Sequence, residues 1–161
     1  MDLKRFIGNI PDYPKPGILF KDIQPLLADP RAFEDAISGL YDKLEGVEFD
    51  YVVGIEARGF IIGQALAWIS NKGFKMIRKA GKLPPEGLSS VSYKLEYGED
   101  TIEMQKGSGK VVLVDDILAT GGTMEAAELL CKVSNYQVVD KLCLIDIGLY
   151  NKNDIKCLIS Y

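Results

Sequence analysis

The chain has 161 residues, 47% of them hydrophobic and 26% charged, enough for one globular domain that buries about two thirds of the surface its unfolded form exposes. Nineteen Lys and Arg against twenty-three Asp and Glu give a net charge of -4, which excludes a generally basic surface for nucleic acid or an anionic membrane. Histidine is absent, so Ser-His-Asp and Cys-His catalysis and imidazole metal ligation are excluded, and chemistry falls to carboxylates, cations and backbone.

Residues 3–8 read as a short opening helix. The segment after it, with prolines at 11, 14 and 16, reads as an ordered loop because proline brings no N–H to a ladder. Asp29 before Pro30 marks a helix N-terminus, and Phe33, Ala36, Ile37, Leu40 and Leu44 recur at helical spacing. Residues 51–55 (YVVGI) are a β-branched run, residues 59–71 a helix stopped by Gly73, and residues 74–78 a second strand, together one βαβ unit. The intervening helix carries Phe60, Ile61, Ile62, Ala65, Leu66, Ala67, Trp68 and Ile69, apolar on nearly every side, which suits contact with a second subunit as well as with a sheet.

Residues 79–90 (KAGKLPPEGLSS) hold two prolines, two glycines and little to bury, the composition of a mobile loop. Residues 91–97 and 101–105, separated by Gly98, Glu99 and Asp100, read as a hairpin. Residues 110–114 (KVVLV) form an uninterrupted apolar strand of the kind buried on both faces of a parallel sheet. A helix over 122–133, a strand over 138–145 and a short strand over 157–159 complete the pattern, and this alternation predicts a doubly wound α/β sheet in a single domain, 1–161. Cys131, Cys143 and Cys157 lack CxxC spacing and read as reduced core residues. The chain opens without a signal-like apolar stretch and contains no 18-residue apolar run, so the cytoplasm is the expected compartment.

The chemistry concentrates in VVLVDDILATGGTMEAAELL, residues 111–130: a buried strand, two acids, a glycine-rich turn and a helix. Ligands of open α/β sheets bind at that end of the strands. Gly121 and Gly122 permit a tight turn, so that backbone N–H groups and the hydroxyls of Thr120 and Thr123 converge at a helix N-terminus as a phosphate cradle. Asp115 and Asp116, acceptor-only groups, suit the vicinal hydroxyls of a ribose or water on Mg²⁺. A Walker loop is excluded, because Gly107-Ser108-Gly109-Lys110 is followed by Val111 and precedes its strand, and no GxGxxG fingerprint occurs.

The stretch VDDILATGGTM (114–124) resembles the 5-phosphoribosyl 1-diphosphate (PRPP) signature of the type I phosphoribosyltransferases. PDYPKPGILFKDIQPLL (11–27), VVGIEARGFIIGQALA (52–67), RKAGKLP (78–84) and SYKLEYG (92–98) extend the resemblance to that family's adenine branch, in the family's order. The resemblance implies a mainly parallel twisted sheet flanked by helices, a small hood built from the two termini and a flexible catalytic loop. It implies purine salvage: transfer of the phosphoribosyl group of PRPP to N9 of adenine, giving AMP and diphosphate, with Mg²⁺ held mainly by PRPP and reached through water by Asp115 and Asp116. A homodimer is implied as well.

Carried over by position, the resemblance has Ala119, Thr120, Gly121, Gly122 and Thr123 hold the 5-phosphate, with Asp115 and Asp116 at the ribose. It has Arg58, Arg78, Lys79 and Lys82 surround the diphosphate. Glu96 would handle the purine proton and Tyr97 would close the site. Phe20 would stack on adenine opposite Ile147, and Lys21 stands at the base site where the family commonly has arginine. Gln24 replaces a usual threonine, EMQKGSGK (103–110) is shorter than the family's segment, and the stretch from Ile147 is abbreviated. Two other readings keep the cradle: a phosphoribosyltransferase for another purine base, and a non-catalytic PRPP-binding regulator, which would ordinarily bring a basic face or a nucleic-acid-binding domain.

Overall fold

The computed structural model describes residues 1–95 and 98–161, and Glu96 and Tyr97 lie outside the described residues. The chain divides into two compact units, Met1–Gly39 and Leu40–Tyr161.

In the first unit the opening helix is a single 3-10 turn, Leu3–Phe6, capped by Asp2, and it ends earlier than its sequence suggests because Gly8 already belongs to a strand. That strand, β1 (Gly8–Pro11), pairs antiparallel with β2 (Leu19–Asp22). The proline-rich segment is thus the turn of a hairpin, a correction to its reading as loop alone. Pro11 occupies the last strand position, where a missing N–H costs least, and Pro14 and Pro16 fall in the turn itself. Asp12 takes φ 55° and its carboxylate accepts from the Gly17 amide at 2.8 Å, which closes the turn. A one-turn helix, α1 (Gln24–Ala28), precedes α2 (Pro30–Asp42). Asp29 caps α2 as its sequence predicts, accepting from the amides of Arg31 at 3.0 Å and Ala32 at 2.9 Å. Ala32, Ala36, Ile37 and Leu40 are buried along one stripe of α2.

The second unit is a seven-stranded sheet in the order β5-β6-β4-β3-β7-β8-β9. Its strands are β3 (Tyr51–Ile55), β4 (Gly73–Lys79), β5 (Leu88–Leu95), β6 (Gly98–Gln105), β7 (Gly109–Leu118), β8 (Tyr136–Asp146) and β9 (Lys156–Ser160). Neighbouring pairs among β4, β3, β7, β8 and β9 are parallel, while β6 joins β4 antiparallel and carries β5 as the edge. The hairpin's partners differ from the sequence reading in one respect: Gly98, Glu99 and Asp100 are strand residues opposite Leu95, Lys94 and Tyr93 rather than the turn. Residues 88–90, read as loop, are likewise the start of β5.

Helices α3 (Arg58–Ile69) and α4 (Gly122–Val133) cover opposite faces. Val53, Ile55, Ile77, Val111 and Leu113 form one buried cluster with Met124, Ala126, Ala127, Leu130 and Cys131 of α4. The alternate residues Val52 and Gly54 face α3, where the Phe74 ring fits only because Gly54 and Gly63 lack a β-carbon. Strands buried on both faces explain the uninterrupted apolar run of β7, whose Val111, Val112, Leu113 and Val114 are all fully buried. Among the described residues no helix is long and apolar enough to cross a membrane.

Candidate active site

Because five adjacent strands run parallel, their C-terminal ends form one edge, and the segments after β3, β4, β7 and β8 meet there. β7 continues past the apolar run to Leu118, so Asp115 and Asp116 lie within the strand and not at its end. Successive strand side chains leave opposite sides. Asp115 lines a pocket together with residues 117–124 and Cys143, whereas Asp116 turns to Arg58.

That pocket is about 80 Å³, several times the roughly 10–15 Å³ that one water needs and small enough to suit a single compact anion such as a phosphate group. Ala119, Thr120, Gly121, Gly122 and Thr123 form its wall at the start of α4, where the first-turn amides are free of helical partners. Gly121 has φ 89°, a left-handed conformation that a side chain would strain. Tyr93 of β5 reaches the same turn, its hydroxyl 3.4 Å from Thr123 Oγ1.

Arg58, the first residue of α3, places Nε 2.8 Å from Asp116 Oδ2. Asp116 is only 4% exposed. The close seat of α3 depends on Gly59, where a β-carbon would stand 3.0 Å from Asp115 Oδ1 and from the Val114 carbonyl. Burial pushes the Asp115 carboxyl well above the usual range, and the charge of Asp116 adds to it. Asp116 is raised by burial too, against the opposing pull of Arg58. The pair therefore holds its charge reluctantly, which favours a polyhydroxyl or cationic partner that stabilises the ionised form.

Beside them, Arg78 at the end of β4 places Nε 3.3 Å from Glu56 Oε2, and the Lys79 amide donates to the same oxygen at 2.8 Å. Burial opposes ionisation of Glu56, but these hydrogen bonds and the charges of Arg78 and Lys82 prevail and lower it below its ordinary value. Lys79 Nζ lies 3.5 Å from Asp100 of β6, and Lys82 is exposed in the turn between β4 and β5. After β8, Ile147 donates its amide to the Leu118 carbonyl at 3.2 Å, which brings it beside the last residue of β7.

The second unit thus gathers Arg58, Arg78, Asp115, Asp116, residues 119–123 and Ile147 along one edge, with Lys79 and Lys82 leading away from it. Phe20 and Lys21 belong to the first unit, on β2. The Phe20 ring meets Tyr13 edge-on at 5.1 Å between centroids. Lys21 is buried and donates to Asn9 Oδ1 at 2.7 Å, and burial, with the nearby Lys4, lowers its ammonium below the ordinary value. Glu96 and Tyr97 fall outside the described residues. Glu56 and Tyr93 are the side chains that the sequence reading passed over. Their only sequence signal is membership of the VVGIEARG and SYKLEYG blocks.

The chain matches the phosphoribosyl transferase domain family over residues 23–159. It is 53% identical to an adenine phosphoribosyltransferase of Halothermothrix orenii over 152 residues, covering 91% of this chain and 88% of the relative. Its structure is similar to that of adenine phosphoribosyltransferase from Thermoanaerobacter pseudethanolicus, with a TM-score of 0.93 and 41% identity over 99% of this chain and 98% of the other. A Saccharomyces cerevisiae adenine phosphoribosyltransferase, solved with an imino-altritol bisphosphate and adenine, has a TM-score of 0.84 at 36% identity, covering 91% of this chain and 87% of the other.

Proposed function

We infer that this chain, which belongs to the phosphoribosyl transferase domain family, is a purine-salvage enzyme that transfers the 5-phosphoribosyl group of PRPP to adenine, releasing AMP and diphosphate. The observation that carries the reading within the molecule is the small pocket lined by Asp115 and residues 117–124, with the buried Asp116 next in the strand.

Transfer breaks the bond from ribose C1 to diphosphate and joins C1 to N9 of adenine. The ribose gains oxocarbenium character as the leaving group gathers negative charge. We assign the 5-phosphate to the amides and hydroxyls of Ala119, Thr120, Gly121, Gly122 and Thr123, and the ribose hydroxyls to Asp115 and Asp116. Arg58, Arg78, Lys79 and Lys82 take up charge on the diphosphate, with Arg58 and Arg78 pre-aimed by Asp116 and Glu56. Phe20 and Ile147 suit a planar base, with Lys21 beside Phe20 on the chain. Glu96 is assigned to the proton at N9 and Tyr97 to closure, both on the strength of the LEYG sequence.

Mg²⁺ fits this donor set as a hydrated ion carried by the substrate. Among the described residues no group of three His, Cys, Asp or Glu side chains is placed to hold a metal, and Mg²⁺ ordinarily keeps waters and substrate oxygens beside one or two carboxylates. When bound, the ion neutralises charge on the diphosphate. Asp115 and Asp116 are the residues that would reach it through water.

The active assembly is a homodimer in this reading, supported by the exposed apolar residues of α3, and the protein is cytoplasmic, supported by three free cysteines. Incubation with PRPP, Mg²⁺ and adenine tests the reaction: AMP and diphosphate are expected in equal amounts, and hydrolysis of PRPP without AMP would contradict it.

A further inference from the structure

The segment joining β8 to β9 is tied to the phosphate cradle by a chain of side chains that the chemistry above does not use. Lys141 of β8, buried at 8% exposure, donates to Glu128 of α4 at 2.7 Å and to Asp154 at 2.6 Å. The other oxygen of Asp154 accepts from the Tyr150 hydroxyl at 2.7 Å. The Tyr150 ring lies against Gly121, so closely that a β-carbon on Gly121 would run into it. Lys152 fastens the same segment to the first turn of α4 through Glu125 at 2.8 Å. Tyr150 is not one of the residues lining the phosphate-sized pocket. It stands behind the wall rather than in it.

We propose that Tyr150 is a positioning residue for the 5-phosphate: the run Glu128, Lys141, Asp154, Tyr150 presses an aromatic ring on Gly121 and fixes the left-handed turn that aims the cradle's amides. The proposal rests on the assignment of residues 119–123 to the 5-phosphate. Its physical basis is that a cradle of backbone donors loses affinity when donors drift by a fraction of an ångström, so a rigid backing matters as much as the donors themselves. All three groups behind Tyr150, Asp154, Lys141 and Glu128, are charged, and the Lys141 ammonium is buried. The anchor is therefore stiffer than a lone tyrosine packed on a glycine. Lys152 acts in the same direction, because it offsets the charge of Glu125 at a helix end meant for an anion.

Binding of ribose 5-phosphate and of inorganic diphosphate, each measured alone by calorimetry on the whole protein, tests the assignment. Tyr150→Ala is expected to weaken ribose 5-phosphate about tenfold, the scale of one strong hydrogen bond, and to leave diphosphate unchanged. Tyr150→Phe keeps the ring and loses only its tether, so a smaller loss of about threefold is expected. Equal weakening of both ligands would reveal a general structural role and overturn the proposal, as would ribose 5-phosphate affinity unaltered in Tyr150→Ala. Should the alanine variant not fold, wild-type affinity in Tyr150→Phe would overturn it by itself. A wild-type protein that binds no ribose 5-phosphate would overturn the cradle assignment, and this proposal with it.

Discussion

Arg58 Nε and Asp116 Oδ2 stand 2.8 Å apart, joining the first residue of α3 to the interior of β7. The arginine side chain is 43% exposed and the aspartate 6%, so the pair is anchored at its acidic end and open at its cationic end. An arginine held at Nε by a buried carboxylate has its guanidinium plane fixed, the orientation that bidentate recognition of an anion needs.

The two neighbouring acids give the site an acid limb. In the proposed reading Asp115 and Asp116 meet the ribose as ionised carboxylates, and burial raises both groups, so kcat/KM for PRPP should fall at a pH above the ordinary carboxylate value of about 4. Asp116→Asn removes the charge that raises Asp115 and frees Arg58 to lower it. The acid limb should therefore move to lower pH, while the plateau drops about thirtyfold, the scale of a lost charge-assisted hydrogen bond of about 2 kcal/mol. Comparing the two profiles with the same substrate cancels titration of PRPP itself. An acid limb that stays in place would detach these carboxylates from PRPP.

Glu56 makes a separable prediction. Glu56→Gln keeps the shape and loses the charge that orients Arg78, so KM for PRPP and inhibition by diphosphate should weaken together by about fivefold, with KM for adenine unchanged. Stability should follow the same group. Its carboxyl is lowered in the folded state, so its contribution is present above the unfolded value of about 4.3 and disappears as pH falls through the folded value. The gap in Tm between wild type and Glu56→Gln should thus be full at neutral pH and close in acid. A gap that widens in acid would contradict the assignment.

The proposed dimer is tested on α3. Trp68 is 80% exposed, Ile61 44% and Ile69 37%, and positions 61 and 68, seven apart, share a helical face. Sedimentation should find twice the chain mass for the wild type and the chain mass for Trp68→Glu. A wild type that sediments as one chain would remove the dimer from the account.

Much of this was legible in the sequence where the signal is local. The helix bounds of α4 are those its sequence predicts, Gly122–Val133, because Gly121 and Gly122 start it and its apolar spacing is regular. The apolar run of β7 announced a strand buried on both faces. Non-local relations were hidden. Glu56 and Arg78 are 22 residues apart and meet only because β3 and β4 lie parallel with Ile55 opposite Ile77. The β1–β2 hairpin was masked by its prolines, whose local veto on a ladder is met by confining Pro14 and Pro16 to the turn. Tyr150 gave no signal at all, since its importance lies in a packing contact with Gly121 across the loop after β8.

Adenine as acceptor is the central claim, and Phe20, Lys21 and Ile147 are the residues assigned to the base. The direct measurement offers the protein PRPP and Mg²⁺ with adenine, hypoxanthine, guanine and xanthine together at equal concentration, and identifies the nucleotides formed by mass. AMP should dominate the products throughout the time course. Predominance of any other nucleotide would contradict the account while leaving the phosphate cradle in place.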